Sequence, residues 1–323
     1  MHPDLAERVE RLRSERVPHV FATVVRAERP TSAKPGDSAL VLEDGTIEGF
    51  VGGACAESTV RAQSLQTLVS GEPTLLRITP TPEPAPPDSG EDPTPGLVSV
   101  SNPCLSGGTL DIFLEPSLPP PLVLVYGDAP IAQALLRAGG DFGFETRAAR
   151  AGATIPEGTA AVVVATHGRD EETILDAAHQ SGVPYIGLVA SRRRGNAVLD
   201  TLPGAAGTVH TPAGLDIGAR TPGEVALSIL AEIVATRPRR PAQPAPLQPQ
   251  TEAGGEAPAA TATDPVCGME VATVRTSLHA DHEGTRYWFC GPGCRDAFVA
   301  APDRYESGPP GDAKPPPGWG PTE

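Results

Sequence analysis

The chain has 323 residues, a formal net charge of −15 and 39% hydrophobic residues, enough for two or three domains of ordinary size. So acidic a balance lacks the basic footprint needed to grip a nucleic-acid backbone, which argues against nucleic acid as a partner. No apolar run approaches the length that spans a bilayer. The opening segment MHPDLAERVERLRSER is a charged amphipathic helix rather than a secretory signal, so the chain reads as cytoplasmic. Pro 38 and Gly 35 cluster in stretches without periodicity, which read as linkers rather than core. Five cysteines, an odd number, argue against a disulfide framework.

The first block spans residues 1–116. It begins with a predicted helix near Asp4–Arg16 and an alternating strand His19–Ala27. Two short strands follow, Leu40–Leu42 and Ile47–Val51, joined by Glu43-Asp44-Gly45. Asp-Gly between apolar runs signals a hairpin because glycine accepts positive φ. A helix is expected from Ala56 to Val69, then a Pro-rich loop Pro80–Pro95, then strands Leu97–Ser101 and Thr109–Glu115.

The second block, residues 120–236, alternates the apolar runs LVLVY, AAVVVAT and YIGLVA with helical stretches Ile131–Ala138, Glu171–Ser181, Arg193–Thr201 and Pro222–Ala235. Short continuous apolar strands separated by helices imply a parallel sheet covered on both faces. Residues 237–263 form a Pro/Ala-rich linker, 264–306 a small third block, and 307–323 a Pro/Gly-rich tail read as disordered. The expected fold class is α/β. It comprises a mixed α+β N-terminal domain, a Rossmann-like doubly wound parallel-sheet domain and a small cysteine-rich metal-binding domain.

The third block holds Cys267, Cys290 and Cys294 in DPVCGMEV and YWFCGPGC. Cys290 and Cys294 are spaced for one face of a helix. So small a block rarely builds a sufficient core without a metal or disulfides. Three convergent thiolates suit a soft ion such as Zn²⁺ or Cu⁺. The fourth ligand stays open among His282, His279 and Asp281. The wording DPVCGM, HEGTRYWFCGPGC and the following Phe, Ala-Pro and Tyr resembles the YHS domain, a short module of metal-handling proteins. That resemblance implies metal binding at the three cysteines.

In the first block, Cys55 lies in GFVGGACAES. A strand ends, Gly52-Gly53 permit a tight turn, and a helix begins. A helix N-terminus offers free N–H groups and the positive end of the dipole. That makes an anion site and lowers a thiol pKa. Cys55 is therefore a candidate thiolate, with Glu57 a proton partner or capping group. Cys104 lies in SNPCLSGGTLDIF, where Gly107 and Gly108 expose backbone N–H groups.

In the second block, the dinucleotide signature strand–GxGxxG–helix survives only in part, at Gly127-Asp128-Ala129-Pro130-Ile131-Ala132. Gly127 is kept, Ala129 replaces the middle glycine, and Asp128 turns a negative charge toward any pyrophosphate. This argues against ordinary NAD binding. Ligands of such sheets lie beyond the carboxyl ends of the strands. His167, the cluster Ser191, Arg192, Arg193 and Arg194, and the turn with Asp216 fall there.

The stretches VRAERPTSAKPGDSALVLEDGTIEGFVGGACAEST, NPCLSGGTLDIFLEP, THGRDEETIL, YIGLVASRRRGNAVL and GLDIGARTPGEVALSILAEIVA resemble the XdhC/CoxI family over residues 10–236. The family's glycine–cysteine motif falls on Gly52, Gly53, Cys55 and Glu57. The NPCLSGG wording, closest to the CoxI-like branch, falls on Cys104, Gly107 and Gly108. The resemblance implies a maturation chaperone for molybdenum hydroxylases, of the xanthine dehydrogenase or CO dehydrogenase type. It would bind molybdenum cofactor between the first two domains, support its sulfuration and deliver it. The implied partners are the apoenzyme and a cysteine desulfurase, with a homodimer as an open possibility. Two other readings remain: an NAD(P)-dependent oxidoreductase using Cys55 as redox thiol, and a metal-handling protein centred on the third block.

Overall fold

The computed structural model describes residues 3–80, 96–102, 108–202, 204, 207–237 and 261–306. The expected Pro-rich loop 80–95 lies outside these residues except at Pro80. The tail 307–323, all but the ends of the linker, and Cys104 and Gly107 also lie outside. The chain forms two compact units, one of residues 1–119 with 240–323 and one of residues 120–239.

The first unit opens with α1 (Pro3–Ser14), then β1 (His19–Ala27), β2 (Ser38–Leu42), β3 (Ile47–Gly49), α2 (Ala54–Ser70), β4 (Thr74–Thr79), β5 (Leu97–Ser101) and β6 (Leu110–Ser117). Its six strands lie in the order β3-β2-β1-β6-β4-β5. The sheet is antiparallel except that β4 and β5 run parallel. Alternation along β1 explains its two faces. Val20, Ala22 and Val24 enter one buried cluster with Val60 of α2, Leu76, Ile78 and Ile112. Phe21 turns the other way, into a cluster with Val9 and Leu12 of α1 and Leu40. Burying a side chain such as Leu12 (1% exposed) contributes roughly 1.5–3 kcal/mol.

Strand β4 is an addition to the elements expected from the sequence. Its Arg77 does not interrupt the sheet because Nε donates to Asp111 on neighbouring β6 at 2.8 Å.

The second unit holds β7 (Leu122–Tyr126), α3 (Pro130–Ala138), a 3-10 turn (Gly139–Phe142), β8 (Glu145–Ala149) and β9 (Thr159–Val164). It continues with α4 (Glu171–Gln180), β10 (Tyr185–Leu188), α5 (Arg192–Leu199), β11 (Val209–His210) and α6 (Pro222–Thr236). The five strands are parallel, in the order β11-β10-β9-β7-β8. This is a doubly wound Rossmann-like sheet whose order reverses between β7 and β9. Alternate residues of one strand serve opposite faces. Val123 and Val125 pack with α3 and α6, while Leu122, Leu124 and Tyr126 pack with Ile174 and Leu175 of α4 and Val198 of α5. Two buried faces explain why these strands read as unbroken apolar runs. Thr221 starts α6 with a full capping box to Glu224, worth about 1 kcal/mol.

The third block folds as two antiparallel pairs, β12 (Thr261–Thr263) with β13 (Glu270–Ala272) and β14 (Leu278–His282) with β15 (Thr285–Phe289). Helices α7 (Pro292–Ala300) and α8 (Asp303–Glu306) follow. Phe289, Phe298, Met269 and Val271 form its core together with Cys290 and Cys294. No described helix is long and apolar enough to cross a membrane.

Candidate functional site

The sulfur cluster is built by two turns. Asp264 follows β12 and organises the first. Its Oδ1 accepts the N–H of Val266 at 2.9 Å and of Cys267 at 3.4 Å. The second turn leaves β15 at Cys290, and α7 begins immediately after Gly291, which brings Cys294 one helical turn above Cys290. Asp264 Oδ2 accepts the Cys290 N–H at 2.8 Å, locking the two turns together.

The sulfur of Cys290 lies 3.5 Å from that of Cys267 and 3.6 Å from that of Cys294. A tetrahedral site with Zn–S bonds of about 2.3 Å has sulfur–sulfur edges of about 3.8 Å. One donor atom each from Asp264, Cys267, Cys290 and Cys294 lies within 4.8 Å of the others. The residues therefore fit one soft ion. Cys267 is held well below the ordinary thiol range because Cys290 and Cys294 donate to its sulfur. Those two thiols are pushed up, Cys290 and Cys294 each chiefly through the bond to Cys267. Burial, followed by the negative Cys267, raises the Asp264 carboxyl to about 6.

The structure places the candidate fourth ligands elsewhere. His282 meets Phe298 edge-on at 6.1 Å. His279 bonds the Ser277 carbonyl and tilts against Trp288. Asp281 pairs with Arg286 at 2.8 Å. The additional donor within the group is Asp264. Its signal in the sequence is the Asx turn that DPVC forms over its own following N–H groups.

Cys55 lies in the first turn of α2, after a β3–α2 connection in which Gly52 takes φ +140°. Gly53 caps the helix without a side-chain hydrogen bond. Glu57 is half-buried in the same turn. A cavity of about 190 Å³ is lined by Gly53, Cys55, Thr31, Asn102 and Gly108, among others. At Gly108 a side chain would strike the carbonyls of Pro30 and Glu28, at 2.3 and 2.5 Å from its Cβ. Gly108 is thus needed for close backbone crossing.

In the second unit, a cavity of about 590 Å³ lies at the carboxyl ends of β9, β10 and β11. It brings together His167, Ser191, Arg192 and Asp216. Arg193 is exposed and is not in the lining, and Gly127 instead crosses tightly against Ala165, just past the carboxyl end of β9. Arg194 lines the cavity but is committed to Glu171, with Nη1 donating to its carboxylate at 2.6 Å. Glu171 is 1% exposed and also accepts the Gly168 N–H at 2.8 Å. This pair ties the loop after β9 to the start of α5, and nothing in the sequence announces it.

The same is true of the network on Glu232, which accepts from the Tyr185 hydroxyl at 2.6 Å and the Gly214 N–H at 2.7 Å. Its other oxygen meets His210 at 3.2 Å. Burial, then Glu232, pushes the Tyr185 hydroxyl far up, so it stays a donor and fixes the loop that carries Asp216. At the strand-order reversal, Ala129 is buried and Asp128 pairs with Arg169 at 2.9 Å on the surface.

These features define an α/β protein with a Rossmann-type domain, a glycine–cysteine turn and a thiolate module with metal-ligand geometry. Family comparisons agree with that class. The XdhC Rossmann domain matches residues 123–233, the XdhC and CoxI family matches 12–79, and the YHS domain matches 262–308. Residues 12–79 and 123–233 are thus similar to the XdhC and CoxI family, and residues 262–308 to the YHS domain.

It is 26% identical over 265 residues to the uncharacterized protein YqeB of Escherichia coli (strain K12), covering 72% of this chain and 46% of that one. It is 38% identical over 80 residues to a probable xanthine dehydrogenase subunit of Bacillus subtilis (strain 168), covering 25% of this chain and 24% of that one. The chain thus spans less than half the length of the curated relatives it matches. A crystal structure of a xanthine dehydrogenase from Bacillus halodurans aligns with TM-score 0.35 and 18% identity, over 71% of this chain and 94% of the other.

Proposed function

We propose that this chain is an accessory protein for a molybdenum hydroxylase of the xanthine dehydrogenase or CO dehydrogenase type. It binds the molybdenum cofactor, supports its sulfuration and delivers it to the apoenzyme, with a cysteine desulfurase as sulfur source. Similarity to the XdhC and CoxI family over residues 12–79 and 123–233 supports the process. The observation that carries the binding step is the cavity of about 590 Å³ at the carboxyl edge of the parallel sheet. Its size lies within the range of small-molecule sites, whereas about 190 Å³ beside Cys55 lies below it.

In this reading the start of α5 receives an anionic group. Ser191 caps that helix, and Arg192 adds a charge that no described carboxylate takes up. His167 and Asp216 hold the polar edge of a bound heterocycle. Cys55, at the N-terminus of α2, supplies a thiolate for molybdenum or for carried sulfur. The cofactor itself supplies a dithiolene-bound molybdenum and a phosphate.

Molybdopterin content tests the proposal. The protein is purified anaerobically from its own host, as wild type, Arg192→Ala, Cys55→Ala and Cys104→Ala. Cofactor in the wild type and its loss in Arg192→Ala or Cys55→Ala is the expected result. Its absence from every form, under conditions verified to make cofactor, overturns the reading.

A further inference from the structure

The thiolate module packs directly on the N-terminal domain. Ala272 of β13 is buried with Ala62 and Leu65 of α2, and Val274 joins the same patch. Thr276 Oγ1 donates to the carbonyl of Asp44, in the β2–β3 turn, at 3.0 Å. Val274 also presses on Gly45, where an added Cβ would come within 2.6 Å of its methyl. This docking brings the Gly291 turn onto the start of α2. A Cβ on Gly291 would lie 3.7 Å from the Cys55 sulfur. Cys55 packs against the cluster that contains Cys290 and Cys294. Cys55 of the N-terminal domain, far away in sequence, thus borders the three-sulfur cluster of the module.

We propose that Cys55 is the fourth ligand of a soft-metal site shared between the N-terminal domain and the module, the others being Cys267, Cys290 and Cys294. The competing donor, Asp264, already accepts three backbone N–H groups and is held by them as the scaffold of both cysteine turns. A soft d¹⁰ ion such as Zn²⁺ or Cu⁺ takes sulfur over a carboxylate. Each metal–sulfur bond that forms at a thiol breaks one S–H bond and releases one proton to solvent. No electron moves. Asp264 then stands outside the ligand set and balances the cation's charge. The site rests on sulfur geometry and docking alone, and it holds whatever client the chain serves. Where the cofactor reading also holds, metal and cofactor compete for one thiol.

The test is a zinc competition titration of the full chain, with Co²⁺ replacing zinc in a parallel spectroscopic series. Cys55→Ser should weaken zinc by at least about tenfold, since losing even an outer partner of a ligand costs 10–100-fold. It should also remove part of the sulfur-to-cobalt charge-transfer absorption. Val274→Asp keeps Cys55 but disrupts the docking patch, so it should give the same loss. The double variant should then lose nothing more. Unchanged affinity and unchanged charge transfer in Cys55→Ser overturn the proposal. Should that variant not fold, alkylation of wild-type Cys55 read by mass spectrometry decides. Labelling suppressed by zinc supports the shared site, and equal labelling with and without zinc refutes it. Molybdopterin content enters neither readout, so failure here is distinct from failure of the cofactor reading.

Discussion

Two buried carboxylates, one in each unit, show opposite ways of treating the same electrostatic problem. Glu171 in the Rossmann-like domain and Asp264 in the thiolate module are 1% and 0% exposed. Both accept backbone N–H groups from the turn they organise. Glu171 is matched by a cation within the fold, Arg194 at 2.6 Å. Asp264 has no such partner among the described residues and faces a thiolate instead. A buried negative charge with a protein cation is a positioning device. A buried carboxylate beside a half-buried thiolate, without one, is a place for an external cation. The same contrast separates the two regions chemically, into soft sulfur donors in one and nitrogen and oxygen groups in the other.

Metal removal should give the largest effect. Chelating the metal from loaded protein should lower hydrogen-exchange protection in β15 and α7 by at least about 100-fold, equivalent to about 2.7 kcal/mol. Unaltered protection would mean that Asp264 and the thiols need no cation, and the contrast would fall.

Glu171→Gln should come next, because it leaves Arg194 without its charge partner. Breaking a fully buried pair costs about 3–5 kcal/mol. Arg194 is 36% exposed and therefore partly screened, so a loss of about 2 kcal/mol in urea denaturation is expected.

Asp264→Asn is a smaller perturbation. The amide NH₂ must face the N–H of either Cys290 or Val266, and leaving one donor unmatched costs about 1–2 kcal/mol. Thermal unfolding of the metal-free chain reads it. A gain in stability would show that relief of the negative charge outweighs the lost acceptor.

The smallest effect separates neighbouring arginines. Arg192→Ala should weaken pyrophosphate binding about tenfold by calorimetry, since a charge-assisted hydrogen bond is worth about 1.4 kcal/mol here. Arg193→Ala should not weaken it, because Arg193 does not line the cavity.

Much of the fold is legible locally. Strands β1 and β5 fall on the residues expected for them, β1 through its alternation, and continuous apolar runs mark β7, β9 and β10. The family wording and the metal-binding spacing of Cys267, Cys290 and Cys294 are legible too. Strand β4 carries the usual period-2 pattern, with Thr74, Leu76 and Ile78 buried, but its closeness to the Pro-rich stretch masks that pattern in the sequence.

Pairs joined only by folding are not legible. Glu171 and Arg194 are 23 positions apart, and Tyr185 and Glu232 are 47 apart. The docking of the module is least visible of all. The outer face of α2 offers Ala62, Leu65 and Leu68 to Ala272 and Val274, a contact too small to stand out from ordinary surface. The meeting of Cys55 with Cys290 follows from that docking and has no local signal of its own.

The modest patch between α2 and β13 acquires a different meaning once chain connectivity is considered. The module is covalently attached, so its encounter with α2 is intramolecular. Covalent tethering commonly sets effective concentrations in the millimolar range. A contact with an intrinsic dissociation constant near 1 mM, about −4.1 kcal/mol, then suffices for roughly half occupancy. Near that balance a change of about 1.4 kcal/mol alters the docked-to-free ratio tenfold. A few apolar side chains and one hydroxyl are thus enough to make the position of the module respond to whatever binds at its edge.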